Sequence, residues 1–217
     1  IYAKIEGFKT NPKRVAFDAI IQAETGFMSI NGESGKQGFK MPVAMMDILA
    51  AHQLKEGILI ALLKRKDNNK AYCVSTTLEE TGYASLANQA SNFLMTNVVP
   101  KKMGSLHPNI APYGEKVITK DKEVFLLAIG TDSQFLKFSS YIGLSEKTKS
   151  EYKNNKKRVL NRTKLIKTIQ KRVSQISSNE FSSNCIKLNI PIGKINTIEN
   201  VFENNVAQNM ILEENVN

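Results

Sequence analysis

The sequence predicts a mixed α/β fold. Short β-rich runs recur along the chain. Between them lie segments whose apolar residues repeat at helical spacing. Apolar residues make up 41% of the 217 positions and charged residues 23%, a mix that can bury a core and argues against wholesale disorder. A chain of this length forms one large domain or two small ones.

The elements follow in order. Tyr2 to Phe8 alternates and ends at Gly7, which reads as a short strand leaving a sheet. Thr10 to Arg14 is a polar loop containing Pro12. Phe17 to Met28 has helical periodicity through Phe17, Ile20, Ile21, Glu24 and Met28. Ser29 to Lys40 holds Gly32, Gly35 and Gly38 and reads as a loop. Asp47 to Arg65 is the strongest helix; Leu49, Leu54, Ile58, Leu62 and their neighbours predict burial over much of its surface. Lys64 to Lys66 places cations in its last turn, where the helix dipole favours them. Tyr72 to Thr76 is a strand, and Leu78 to Met95 a helix with Leu86, Ala90, Phe93 and Leu94 facing inward. Pro100 to Tyr113 is irregular. Glu115 to Thr119 and Glu123 to Ile129 form a hairpin across Lys120 and Asp121. Ser133 to Leu144 and Arg162 to Ile176 are helices, and Asn179 to Asn184 starts another. Ile190 to Lys194 reads as a turn before a helix from Thr197 to Phe202.

Thirty Lys and Arg against twenty Asp and Glu give a net charge of +10. Eleven of these cations and two Glu lie between Ser145 and Arg172. Such a run marks a solvated helical face first and an anionic partner second. No zinc-finger spacing, aromatic RNA-binding string or Gly-rich basic repeat favours nucleic acid. Two cysteines, Cys73 and Cys185, cannot build a disulfide scaffold or a thiolate metal site. Two histidines, His52 and His107, are too few for a His-rich centre, so no metal is expected. The sparse cysteine usage fits a reducing, cytoplasmic setting. The longest apolar run, Ile48 to Leu63, is interrupted by His52, Gln53, Lys55 and Glu56, which excludes a membrane span there.

Asp47 is the one acid between Glu33 and Glu56 and heads the apolar helix. In the first turn its carboxylate can accept free backbone N–H groups and so serve the helix alone. The same placement keeps a carboxylate rigid enough to attack an activated carbonyl. The apolar run Met41 to Met46 before it would help exclude water. The residues alone leave both roles open. The Gly32, Gly35 and Gly38 loop matches neither the P-loop nor the dinucleotide fingerprint, and His107 in its Pro-rich segment can be structural. No Ser–His–Asp order is arguable.

Several segments together resemble the class III CoA-transferases, the CaiB/BaiF family that includes formyl-CoA and carnitine CoA-transferases. The opening YAKIEGF is similar to the family's Y-A-S-I-S-G-F. Ala16-Phe17-Asp18 with Ile21 to Met28 resembles G-Y-D-x-x-x-Q-A-x-S-G-L-M, and Ile30 to Glu33 the T-G-E that follows. Met41 to Leu49 occupies the place of the apolar run that holds the family's catalytic Asp, which matches Asp47. Leu86 to Ala90 resembles A-N-Q-A, Gly104 to Tyr113 resembles G-N-x-H-P-N-I-x-P-Y, and Ala128 to Phe135 resembles A-V-G-N-D-x-Q-F. Asn161-Arg162 and Ile190 to Thr197 continue the series, which runs in order over almost the whole chain.

The resemblance implies part of a Rossmann-like large domain over 1–77, a linker helix over 78–99 and a small α+β domain over 100–217. It implies transfer of CoA from an acyl-CoA donor to a carboxylic acid acceptor, through an aspartyl anhydride and an aspartyl-CoA thioester on Asp47. Asp18, Gly104, His107 and Asn109 would contact substrate. CoA thioester would be the substrate, with no permanently bound cofactor, and the protein an interlocked homodimer. The related α-methylacyl-CoA racemases carry a catalytic His in G-H-D, where this chain has Phe17, so racemase chemistry is demoted. Because the family's chains extend past both ends of this one, it is expected to be a piece of a longer protein or a shortened copy, with exposed sheet edges and apolar faces. A non-catalytic interaction module of the same fold is the rival reading.

Overall fold

The computed structural model describes residues 1–214. The chain divides into two compact units, residues 1–104 and residues 105–217.

The first unit begins with strand β1 (Tyr2–Glu6), which pairs in parallel with β2 (Cys73–Thr77) in the register Tyr2 to Cys73 through Glu6 to Thr77. Parallel strands need a long crossover, supplied here by helices α1 (Asp18–Glu24), α2 (Phe27–Ile30) and α3 (Met45–Asn68). The helix expected over Phe17 to Met28 is therefore two. Gly26, at φ 95°, breaks it; that left-handed backbone is one glycine adopts without strain. The core of this unit gathers Phe8, Ile21 and Met46, with Ala16, Phe27, Met41 and Leu49 packed around them.

Helix α3 departs from expectation. Met46, Ala50 and Ala61 are buried, but Ile48, Leu59, Ile60, Leu62 and Leu63 are exposed. Apolar residues ring the helix while only one stripe meets the sheet. Gly57 lies on that stripe, so close to β2 that a Cβ there would run into Val74 Cγ1.

The helix expected from Leu78 to Met95 is also two, α4 (Leu78–Ser85) and α5 (Ala87–Thr96). Ala87, at φ 46°, turns the chain between them. The turn leaves Phe93 and Leu94 exposed rather than inward, beside an open groove of about 340 Å³ that Ile30, Leu86 and Ala90 also line.

The second unit holds a three-stranded antiparallel sheet, β3 (Tyr113–Ile118), β4 (Val124–Ala128) and β5 (Ile192–Lys194), in the order β3-β4-β5. The expected hairpin is β3-β4. The turn expected over Ile190 to Lys194 is instead strand β5, because Leu126 and its neighbours on β4 take up its backbone groups. Helices α6 (Asp132–Tyr141), α7 (Glu146–Glu151), α8 (Asn155–Leu160), α9 (Arg162–Val173) and α10 (Ser178–Lys187) follow β4. Val117, Phe125, Leu127, Phe135, Phe138, Leu165, Ile169 and Phe181 form the core, with the Phe125 and Phe181 rings edge to face at 5.3 Å. Beyond β5 lie α11 (Ile198–Phe202) and α12 (Asn205–Gln208). Among the described residues no helix is long and apolar enough to cross a membrane.

Candidate active site

In the first unit the site is built around the start of α3. Its N-cap is Ala44, which has no side-chain oxygen to offer the free N–H groups of the first turn. A residue from α1 fills that role. Asp18, buried at the head of α1, accepts the Met46 N–H at 2.8 Å through Oδ1 and the Gln22 amide at 2.6 Å through Oδ2. Gln22 is fully buried, and its Oε1 accepts the Met41 N–H at 2.8 Å. Two side chains one turn apart on α1 thus tie down both ends of the Met41–Met46 segment.

Asp47 is the next residue, in the first turn of α3 and exposed. Partial loss of hydration, and secondarily the negative charge of Asp18, hold its pKa above the ordinary aspartate value. The helix N-terminus works in the opposite direction, and the net result is a carboxylate less comfortably ionised than a free one. Such a group is a better nucleophile than one buried in hydrogen bonds. The sequence singled out Asp18 and Asp47 separately; the structure joins them through Met46. It places Phe17, the position of the racemase His, exposed ahead of α1. Gln22 stood only inside a family motif, and no signal in the sequence marked it as the second tether.

Gly104 closes the first unit. It is left-handed at φ 63°, and its N–H donates to Gly32 O at 2.8 Å. That bond fastens it to the glycine loop, which is itself closed by Asn31 Nδ2 donating to Phe39 O at 2.8 Å.

His107 and Asn109 belong to the second unit. His107 Nδ1 accepts the Asn109 N–H at 3.1 Å, and the His107 ring meets Tyr113 at 5.2 Å. The backbone of this turn is held from the basic run. Asn155 Nδ2 donates to Asn109 O at 2.7 Å, and Asn155 Oδ1 accepts the Ala111 N–H at 3.1 Å. Arg158 is fully buried; it donates to Ala111 O at 2.6 Å and to Asp132 Oδ1 at 2.6 Å, with its guanidinium over the Phe135 ring. Arg162 Nη2 donates to His107 O and Ile110 O. The charge pattern alone predicts a solvated face first and an anionic partner second. Arg158 and Arg162 are turned inward, which a charge count does not reveal.

Of the two cysteines, Cys73 is exposed and Cys185 buried. Burial raises the Cys185 thiol to about 12, so it is not a nucleophile at neutral pH. Among the described residues no group of three His, Cys, Asp or Glu is arranged to hold a metal ion.

Comparison with known proteins decides the family. The model of CoA-transferase family III matches residues 1–215. The chain belongs to CoA-transferase family III. It is 33% identical over 206 residues to a succinate–glutarate CoA-transferase of Agrobacterium fabrum, covering 93% of this chain and 51% of that protein. It is 29% identical to the human succinyl-CoA:glutarate CoA-transferase, with 93% and 47% covered. Among solved structures, a CaiB/BaiF family protein from Brucella suis superposes with a TM-score of 0.79 at 32% identity, over 96% of this chain and 56% of that one. This family III chain therefore spans about half the length of the curated relatives it matches.

Proposed function

We propose that this chain carries the nucleophile-bearing part of a CoA-transferase that moves CoA from an acyl-CoA to a carboxylic acid, with Asp47 as the covalent residue. The observation that carries the reading is the start of α3. Asp47, which the resemblance matches to the family's catalytic Asp, stands in the first turn of a helix whose start Asp18 tethers from α1, while Gln22 holds the segment before it.

The steps balance without an outside co-reactant. An Asp47 oxygen attacks the thioester carbonyl, the C–S bond breaks, and a mixed anhydride forms as CoA thiolate leaves. The thiolate attacks the aspartyl carbonyl of the anhydride, releasing the donor's carboxylate and leaving an aspartyl-CoA thioester. The acceptor carboxylate attacks that carbonyl and expels the thiolate again. The thiolate then takes the acceptor's acyl group and returns Asp47 as a free carboxylate. Each intermediate is open to hydrolysis, so the site must exclude water. Each addition also places charge on an oxygen that N–H donors must meet. On the resemblance alone we assign His107 and Asn109, on the pinned turn of the second unit, and Gly104 to the acyl group of the substrate. Asp18 acts chiefly by holding Asp47.

The named relatives act on succinate and glutarate, so a short dicarboxylate is the first acceptor to try. The resemblance implies a homodimer, and the uncovered apolar surface of α3 supports one. The test is to supply succinyl-CoA and glutarate to the longest natural form of the chain and to follow glutaryl-CoA by mass. Formation that disappears in Asp47→Ala supports the reading. No transfer to any carboxylate, or transfer that survives Asp47→Ala, contradicts it.

A further inference from the structure

We propose that Arg162, with Glu115 behind it, is the positioning residue that fixes the His107–Ile110 turn in its substrate-facing form; this rests on the reading of that turn as the acyl end of the site. A single nitrogen, Nη2, donates to His107 O at 2.7 Å and to Ile110 O at 2.5 Å. Two carbonyls three residues apart are thereby drawn onto one point, which closes the turn as a staple would. Arg162 Nε faces Glu115 Oε1 at 3.2 Å, with the two side chains 12% and 3% exposed.

Among the described residues, neither Glu115 oxygen nor Arg162 Nη1 has a hydrogen-bond partner. Burial raises the Glu115 pKa even against the charge of Arg162. Buried ion pairs with unmet hydrogen bonds are commonly no more stable than apolar residues of the same shape. What the pair supplies is geometry. Glu115 aims the guanidinium, the guanidinium sets the turn, and the turn sets His107. Within it the Asn109 N–H occupies His107 Nδ1, so the neutral ring carries its proton on Nε2. The turn therefore presents a single N–H donor of fixed direction, suited to a carboxylate or thioester oxygen. Asn155 and Arg158 hold the neighbouring Asn109 and Ala111 groups, which leaves Arg162, among the described residues, as the one side chain that gathers the two ends of the turn.

The test compares wild type with Arg162→Gln by hydrogen exchange and by transfer kinetics in the full chain. We expect the amides of His107, Asn109, Ile110 and Ala111 to exchange about tenfold faster or more while those of Phe125 to Leu127 keep their wild-type rates. The KM for the carboxylate acceptor should rise about tenfold with kcat much less changed. Unchanged exchange in the turn overturns the proposal, as does equal loosening of β4, which would mark Arg162 as a general support of the fold. A loosened turn with wild-type KM also overturns it. If the wild type transfers no CoA, the transferase role fails by itself, and the exchange pattern alone still decides whether Arg162 holds the turn. Should Arg162→Gln fail to fold, the double variant Glu115→Gln/Arg162→Gln, which removes the buried charge together with its partner, takes its place.

Discussion

Asp47, the nucleophile proposed above, sits where its ionisation opposes folding. A carboxylate in a first helical turn ordinarily stabilises. Here lost hydration and the charge of Asp18 raise its pKa instead. An acid whose pKa is raised by folding opposes folding once it ionises. The penalty is absent below the ordinary aspartate range and develops as pH rises through the raised value. Asp47→Asn should therefore unfold at the same or higher urea concentration than wild type at pH 7, with the difference shrinking toward pH 4. A clear loss of stability at pH 7 would mean that the carboxylate serves α3 alone. Asp18 is the opposite case. Both its oxygens are committed to Met46 and Gln22, so Asp18→Ala leaves a buried N–H and a buried amide without their acceptor. Chemical denaturation should show a loss of about 2–3 kcal/mol.

At the scale of elements, α3 depends on close approach to the sheet. Helix propensity says Gly57→Ala should stabilise by about 1 kcal/mol. Contact with Val74 says the reverse, because an added methyl must push the helix off β2. The expected result is a net loss of about 1–2 kcal/mol by urea titration. Most elements were legible in the sequence because their periods and turn residues are local. The β3-β4 hairpin, the strand at Tyr2 and the apolar helix behind Asp47 all stand where their patterns put them. What was illegible depends on partners far along the chain. Ile192 to Lys194 is a strand only because β4 is beside it. The break at Ala87 is a left-handed alanine, which no local preference announces. Asp47 could be picked out because it is a lone acid at a helix head. Gln22, Arg158 and Arg162 could not, since the backbone groups they hold come from residues 19, 47 and 52–55 positions away.

At the scale of the whole molecule, the first unit carries more apolar surface than it covers. Leu59, Ile60 and Leu63 of α3 are 53%, 54% and 69% exposed, alongside a two-stranded sheet whose outer edges are unpaired in the described fold. Surfaces of this kind drive association. Sedimentation should show the chain associating as its concentration rises. Leu59→Glu with Leu63→Glu should shift it toward monomer with an unchanged circular dichroism spectrum. A monomer at all concentrations for the unaltered chain would argue against a homodimer built on this face. The second unit differs: its aromatic core is closed, and its excess charge outside Arg158 and Arg162 is carried mainly on exposed lysines.

The proposed transfer requires a covalently acylated Asp47, and trapping that adduct is the decisive measurement. The protein is mixed with a panel of acyl-CoAs, including succinyl-CoA, treated with hydroxylamine and weighed intact before peptide mapping. A hydroxamate on Asp47 that is lost in Asp47→Ala is the predicted result. A hydroxamate on another residue, or CoA transfer with no adduct at Asp47, would show that Asp47 is not the nucleophile.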